Sequence, residues 1–110
     1  MEIAESKRDG TVILGVEGRV DASNADVLEE KLLGLIAAGE RQLVLDCARL
    51  DYISSAGLRV LLVAAKRLSP AGGRIAVCAL QEQIKHIFEI AGLPSIFSIY
   101  ATAGEAIAAR

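Results

Sequence analysis

Two short and nearly continuous apolar runs constrain the fold of this chain most strongly. They cover Gln42–Cys47 (QLVLDC) and Arg74–Ala79 (RIAVCA). A short apolar run bounded by turn signals is typical of a strand that is buried on both faces of a sheet. Each run is followed by a segment in which apolar residues recur every three or four positions, as in an amphipathic helix. This alternation of strand and helix favours an α/β fold with a mostly parallel sheet.

The start of the chain predicts a β-hairpin. Residues Glu2–Arg8 and Thr11–Val20 flank Asp9-Gly10, and Asp-Gly supplies the positive φ angles of a type I′ turn. One face of the second strand is apolar at four positions: Val12, Leu14, Val16 and Val20. A parallel sheet built later in the chain would therefore carry an antiparallel pair at its beginning.

The first two helices have recognisable ends. Ser23 or Asn24 can cap the first helix, and Gly39 is a natural stop. Residues 48–54 are read as a loop that leads to the second helix, which the segment Ser69–Gly73 (SPAGG) ends.

The last third of the chain predicts a helix, a strand and a short helix. Apolar spacing indicates a third helix that Gly92 and Pro94 close, followed by a strand over Ser95–Tyr100. Thr102, with Glu105 three residues later, forms a capping box for the terminal helix. The predicted order is β-β-α-β-α-β-α-β-α, and we expect residues 1–110 to form one domain.

Composition excludes several classes of function. The chain has 110 residues, 53% of them hydrophobic and 24% charged, with a formal net charge of −2. This balance is typical of a globular domain, and no basic block is present to bind nucleic acid. No signal peptide or apolar stretch long enough to span a membrane is visible, so we expect a cytoplasmic protein without membrane insertion. Cys47 and Cys78 lie in apolar runs and are interpreted as reduced core residues.

The residues expected of an enzyme are missing. The chain has one histidine, His86, which is interpreted as a surface residue, and no metal-ligand cluster, nucleophile elbow or P-loop is found. We therefore predict no catalytic residue, metal or cofactor. Asp46 follows the pattern of a phospho-acceptor at a strand end, but the acidic pair and the lysine that would complete a magnesium pocket are absent. Magnesium-dependent labelling of Asp46 would revive that alternative.

The segment Asp51–Leu62 (DYISSAGLRVLL) has a different character. Ser54 and Ser55 stand where the predicted loop enters the second helix. A serine at this position caps exposed N–H groups, which explains one of the two, and a functional site remains the alternative. Gly57 costs helix stability of about 1 kcal/mol relative to alanine, which suggests a close approach at this turn.

The same segment resembles a known family. Tyr52–Leu62 (YISSAGLRVLL) is similar to the signature of STAS-domain anti-sigma-factor antagonists, and Gly18–Asp21 (GRVD) resembles the family's G-x-x-D after its second strand. Arg74–Cys78 and Ile87–Leu93 also resemble a later strand and helix of that family. The likeness covers essentially the whole chain.

The resemblance implies a switch without catalysis. In that family an ATP-binding anti-sigma kinase phosphorylates a serine at the helix start, a metal-dependent phosphatase removes the phosphate, and the unmodified form binds the anti-sigma factor. The acceptor falls on Ser55. Many members carry Asp immediately before the acceptor, whereas this chain has Ser54 there, so Ser54 is the alternative acceptor. Residues implied in partner binding are Asp21, Ser54, Ser55, Gly57 and Arg59. STAS subunits also accompany lipid-transport ATPases, which gives a second possible role as a scaffold without phosphorylation.

Overall fold

A computed structural model describes residues 1–109 of the chain. Its strands are β1 (Glu2–Arg8), β2 (Thr11–Val20), β3 (Gln42–Asp46), β4 (Leu50–Ile53), β5 (Arg74–Cys78) and β6 (Ser98–Tyr100). Its α-helices are α1 (Ala25–Ala37), α2 (Ser55–Leu68), α3 (Glu82–Ile90) and α4 (Ala103–Ala108). Two single turns of 3-10 helix cover Ser69–Ala71 and Leu93–Ser95.

The sheet is mixed, as predicted. Its hydrogen-bonded order is β1-β2-β3-β5-β6, and β4 pairs with β2 alone. The β1–β2 pair is antiparallel and every other pair is parallel. Asp9 and Gly10 have φ angles of 52° and 76°, which are the positive values that a type I′ turn requires. The predicted hairpin and both of its strand limits are confirmed.

Helices cover both faces of the sheet, and this explains the two apolar runs. Leu43 and Leu45 of β3 pack into the core under α1, α2 and α3, while Val44 between them packs against Ala106 of α4. Successive side chains of a strand point to opposite faces, so a strand covered on both sides needs apolar residues at every position. The alternating apolar face of β2 lies in the larger core.

A sixth strand replaces part of the predicted loop. Residues 48–54 were expected to be irregular, but Leu50–Ile53 forms β4, with Leu50 and Ile53 buried. The reason lies in the length of β2. Its first half pairs with β3, whereas Gly18–Val20 extends past β3 and needs another partner for its backbone groups. The register shifts between Gly18 and Arg19, where Gly18 has a φ of 95°.

The last strand is shorter than predicted. The expected range was Ser95–Tyr100, but Leu93–Ser95 forms a 3-10 turn and the strand begins at Ser98. Pro94 lies in that turn, where its fixed φ angle is tolerated and its missing N–H costs little. Phe97 is buried and packs edge-on against Phe88, with ring centroids 6.5 Å apart. The buried Phe97 therefore lies between the 3-10 turn and the first residue of β6.

Two predicted caps differ in detail. Asn24 occupies the cap position of α1, but its side chain makes no capping hydrogen bond to the helix. Thr102 does cap α4, since its hydroxyl accepts from the Glu105 N–H at 3.1 Å. In a capping box, the Glu side chain also accepts from the N–H of the cap residue. Here Glu105 Oε2 accepts from the Ala101 N–H at 3.3 Å instead of from the Thr102 N–H.

Candidate functional site

The candidate site lies where β2 and β4 end side by side. Val20 and Ile53 are paired in the parallel register, and the Ser54 N–H donates to the Val20 carbonyl oxygen at 2.9 Å. Parallel strands end at the same edge of a sheet, so the residues that follow them are neighbours. Asp21 follows Val20 and Ser54 follows Ile53. The pairing of β4 therefore brings together two segments that are 33 positions apart, a separation taken from the residue numbers of Asp21 and Ser54.

The two serines have different structural positions. Ser54 is the cap residue of α2, and its Oγ accepts from the Gly57 N–H at 3.3 Å. Ser55 is the first helical residue and is exposed. Within residues 1–109, the Ser55 hydroxyl has no hydrogen-bond partner, and the N–H groups of Ser55 and Ala56 have no acceptor. Capping thus accounts for Ser54 and leaves Ser55 available at the positive end of the helix dipole.

Gly57 is buried under the first turn of α2. A Cβ at this position would lie 2.6 Å from Ile53 Cγ1 and 2.8 Å from Val20 Cγ1. The close approach suggested by the sequence is therefore made by the ends of β2 and β4 themselves. The glycine lets the helix start lie directly on these two strands, which positions Ser54 and Ser55 at the surface.

The Asp21 carboxylate is held in its charged form. The Ser23 hydroxyl and the Ser23 N–H donate to Asp21 Oδ1 at 2.5 Å and 3.0 Å. These hydrogen bonds lower the pKa of Asp21 below its ordinary value of 3.8, and the nearby positive charge of Arg19 acts in the same direction. Asp21 therefore presents a negative charge beside the serine pair at neutral pH.

Asn24 fixes the segment that carries Asp21. Its Oδ1 accepts from the Asp21 N–H at 3.0 Å, and its Nδ2 donates to the Arg19 carbonyl oxygen at 2.9 Å. The amide thus ties the residue on each side of Val20. This explains why Asn24 does not cap α1: its hydrogen-bonding groups are used on the preceding loop.

Three further side chains belong to this edge. The Arg19 guanidinium lies 4.3 Å from the centre of the Tyr52 ring, on neighbouring strands. Arg59 is exposed on α2, and residues four positions apart share one face of a helix, so it lies on the same side as Ser55. The sequence singled out Arg59 through the family motif but missed Arg19. Arg19 lies next to Val20 and Asp21 in the sequence, but only the pairing of β2 with β4 shows that it faces Tyr52 at the site. The sequence could have indicated this role only if β4 had been predicted.

The other candidates lie elsewhere or are engaged in structure. His86 is exposed on α3. Asp46 Oδ1 accepts from the Ala48 N–H at 3.1 Å, and among residues 1–109 no group of three or more His, Cys, Asp or Glu could hold a metal ion. Cys47 and Cys78 are buried, which raises the pKa of both thiols, that of Cys78 to about 11. None of the helices in residues 1–109 is long and apolar enough to cross a membrane.

Sequence comparisons match almost the whole chain. A family profile described as the STAS domain matches residues 2–106. BtrV from Bordetella bronchiseptica, described as a candidate anti-sigma factor antagonist, is 45% identical over 109 residues, which cover 99% of this chain and 93% of BtrV. The anti-sigma-B factor antagonist of Bacillus subtilis is 29% identical over 101 residues, which cover 92% of this chain and 90% of that protein.

A solved structure has the same fold. The crystal structure of a candidate anti-sigma factor antagonist from Thermotoga maritima has a TM-score of 0.91 and 24% sequence identity, with 96% of this chain and 91% of that chain covered. At this level of identity the similarity establishes the arrangement of strands and helices. It agrees with the mixed sheet and the four helices described above.

Proposed function

Because this chain belongs to the STAS domain family, we propose that it is an anti-sigma-factor antagonist that binds an ATP-binding serine kinase acting as an anti-sigma factor, and that phosphorylation of Ser55 turns this binding off. Anti-sigma-factor antagonists are non-enzymatic regulatory proteins, in agreement with the expectation that this chain is not an enzyme. The partner-binding surface comprises Asp21, Ser54, Ser55 and Arg59, with Gly57 beneath it.

The observation that carries the proposal is the exposed and unbonded hydroxyl of Ser55 at the start of α2. A kinase must reach the acceptor oxygen without unfolding the chain, and Ser55 meets this requirement. Ser54 is only partly exposed, and its Oγ accepts the hydrogen bond of the helix cap. Phosphorylation of Ser54 would disturb that cap, which favours Ser55 as the acceptor.

The expected effect of the phosphate is local. It adds a charge of about −1.5 to −2 at neutral pH. At this position it meets the positive end of the helix dipole and the N–H groups of Ser55 and Ala56, so the fold tolerates it. Asp21 already places a negative charge at the neighbouring strand end. A partner surface that fits the unmodified site would then face added negative charge, and about 2.8 kcal/mol of repulsion lowers affinity a hundredfold.

The same proposal names the remaining components. A serine phosphatase restores the unmodified chain, and binding of the anti-sigma factor releases a sigma factor, so the protein acts in the cytoplasm. The second candidate role, a scaffold subunit of a lipid-transport ATPase, requires no phosphate on Ser55. Mapping the modification therefore distinguishes the two roles.

The first experiment is to purify the chain from its native host with phosphatases inhibited, and to map modification by intact mass and peptide sequencing. We expect one phosphate on Ser55. A Ser55→Ala chain should lack the phosphate, while Ser54→Thr, which keeps a hydroxyl able to cap α2, is the matched control and should retain it. A chain that is unmodified under every growth condition would contradict the proposal and favour the scaffold role.

The second experiment measures binding to the kinase responsible for that modification. We expect Ser55→Ala to bind as tightly as the unmodified chain at all times, and Ser55→Asp to bind more weakly. Unchanged affinity in both variants would overturn the switch mechanism.

A further inference from the structure

The pair formed by Arg19 and Tyr52 has no assigned role. The two residues are partners in the parallel register of β2 and β4, and the guanidinium carbon lies 4.3 Å from the ring centre. Arg19 is exposed and Tyr52 is partly buried. Within residues 1–109 the Arg19 guanidinium makes no ion pair and no hydrogen bond. Among the described residues, the closest interaction of the Arg19 side chain is thus its contact with the Tyr52 ring.

The structure holds Arg19 in place before any partner arrives. Asn24 Nδ2 bonds to the Arg19 carbonyl oxygen at 2.9 Å, and strand pairing fixes the backbone on the other side. A long charged side chain loses up to about 2 kcal/mol of conformational freedom when it is immobilised at an interface. The contact with the Tyr52 ring removes part of that cost in the free protein, so a contact made by Arg19 would gain affinity from preorganisation.

We propose that Arg19, held against Tyr52, is a specificity-determining contact that receives a carboxylate of the partner kinase. This inference rests on the proposed function and adds the chemistry of the partner surface. The guanidinium carbon lies over the Tyr52 ring, and none of the described residues accepts a hydrogen bond from the guanidinium N–H groups. A carboxylate is the protein group that can accept two of these N–H groups at once. Tyrosine and arginine are also the residue types enriched among the anchors of protein interfaces.

The charges around the site support this choice of ligand. Asp21 is two residues from Arg19 and is negative, so a basic group of the partner meets Asp21 while an acidic group meets Arg19. Arg49, in the turn before β4, lies 3.8 Å from Glu17, whereas Arg19 forms no ion pair with a described carboxylate and has only a longer-range attraction to Asp21. Of these two arginines, Arg19 is the one without an ion pair to a described residue.

The test measures the dissociation constant of the unmodified chain for the kinase that phosphorylates it, with four variants. Arg19→Glu should weaken binding by about 100-fold and Arg19→Lys by about tenfold, because lysine keeps the charge but loses the planar fork. Tyr52→Leu should weaken binding by about tenfold through loss of the ring contact that holds Arg19. The matched control is Arg67→Glu, an exposed arginine in the last turn of α2, which should change affinity less than about threefold. Equal effects of the Arg19 and Arg67 variants would overturn the inference.

Two further measurements identify the ligand of Arg19. Replacing the facing carboxylate of the kinase by arginine should restore binding to Arg19→Glu. If the unmodified Arg19→Lys chain instead binds like the unmodified parent chain, and the substitution changes affinity only when Ser55 is phosphorylated, Arg19 pairs with the phosphate of Ser55 and the carboxylate assignment is wrong.

The Ser55→Asp variant separates this inference from the proposed function. If Ser55→Asp binds more weakly while the Arg19 variants bind like the parent chain, the phosphorylation switch stands and Arg19 has no role in binding. A parent chain that does not bind the kinase overturns both.

Discussion

The N–H of Ser54 donates a 2.9 Å hydrogen bond to the carbonyl oxygen of Val20. This bond continues the pairing of β4 with β2 by one residue and joins the start of α2 to the loop that carries Asp21. The candidate site is therefore built on sheet hydrogen bonds, which makes its geometry rigid. A phosphate or a partner that acts at Ser55 meets a preformed surface.

We predict that Ser54→Ala destabilises the protein by about 1 kcal/mol, because it removes the Oγ that accepts the Gly57 N–H. Ser55→Ala is the matched control. Its hydroxyl is exposed and unbonded, so the free energy of unfolding should change by less than about 0.5 kcal/mol. Urea unfolding of the two variants checks the prediction, and a larger loss in Ser55→Ala would contradict the assignment of Ser54 as the cap.

A methyl group at Gly57 should destabilise the fold. Gly57→Ala places a Cβ against Ile53 and Val20, and such overpacking typically costs about 1–3 kcal/mol. Gly34→Ala in α1 is the matched control, because nothing lies within 4 Å of its added Cβ. That variant should gain up to about 1 kcal/mol from helix propensity. Comparable unfolding free energies for the two variants would rule out the close packing of α2 on the strand ends.

The lowered pKa of Asp21 predicts a pH dependence of stability. The charged carboxylate stabilises the folded state above its ordinary pKa of 3.8, and this contribution is lost as the pH falls through the lower pKa of the folded state. The difference in unfolding free energy between the parent chain and Asp21→Asn should therefore be largest near about pH 6 and shrink below about pH 4. Asp51→Asn, at an exposed position on β4, is the control. The same pH profile in both variants would contradict the hydrogen bonding of Asp21 to Ser23.

Both cysteines should react slowly in the folded protein. Cys47 and Cys78 are buried, and burial raises the pKa of each thiol, so little thiolate forms near neutral pH. Alkylation at about pH 8 should be at least about 100-fold slower in buffer than in denaturing urea, because it requires local opening of the core. The measurement is the mass of the alkylated chain against time. Rapid labelling of either thiol in the native state would show that its strand is not buried as described.

Local sequence signals determined most of the architecture. Asp9-Gly10 set the hairpin because only positive φ angles close that turn, and the run Leu43-Val44-Leu45 identified a strand covered on both faces because its side chains alternate between two cores. The YISSAGLRVLL segment likewise identified the family from its residues alone. These features depend on neighbouring residues, which a sequence records directly.

The arrangement of the site depended on contacts that no local pattern reports. β4 forms because β2 extends beyond the end of β3 and its last residues pair with Leu50–Ile53 instead. The residue at which two strands stop pairing is set by the assembled sheet. That pairing alone brings Asp21 to Ser54, places Arg19 on Tyr52 and explains Gly57 by the nearness of Ile53 and Val20. Neighbouring residues along the chain therefore specified nearly all of the elements and the two serines at a helix start. The helix cap made by Ser54 is also local, because its Oγ accepts from the Gly57 N–H three residues along the chain. Tertiary packing specified which charged segment lies beside Ser55, because this depends on distances between segments remote in the chain.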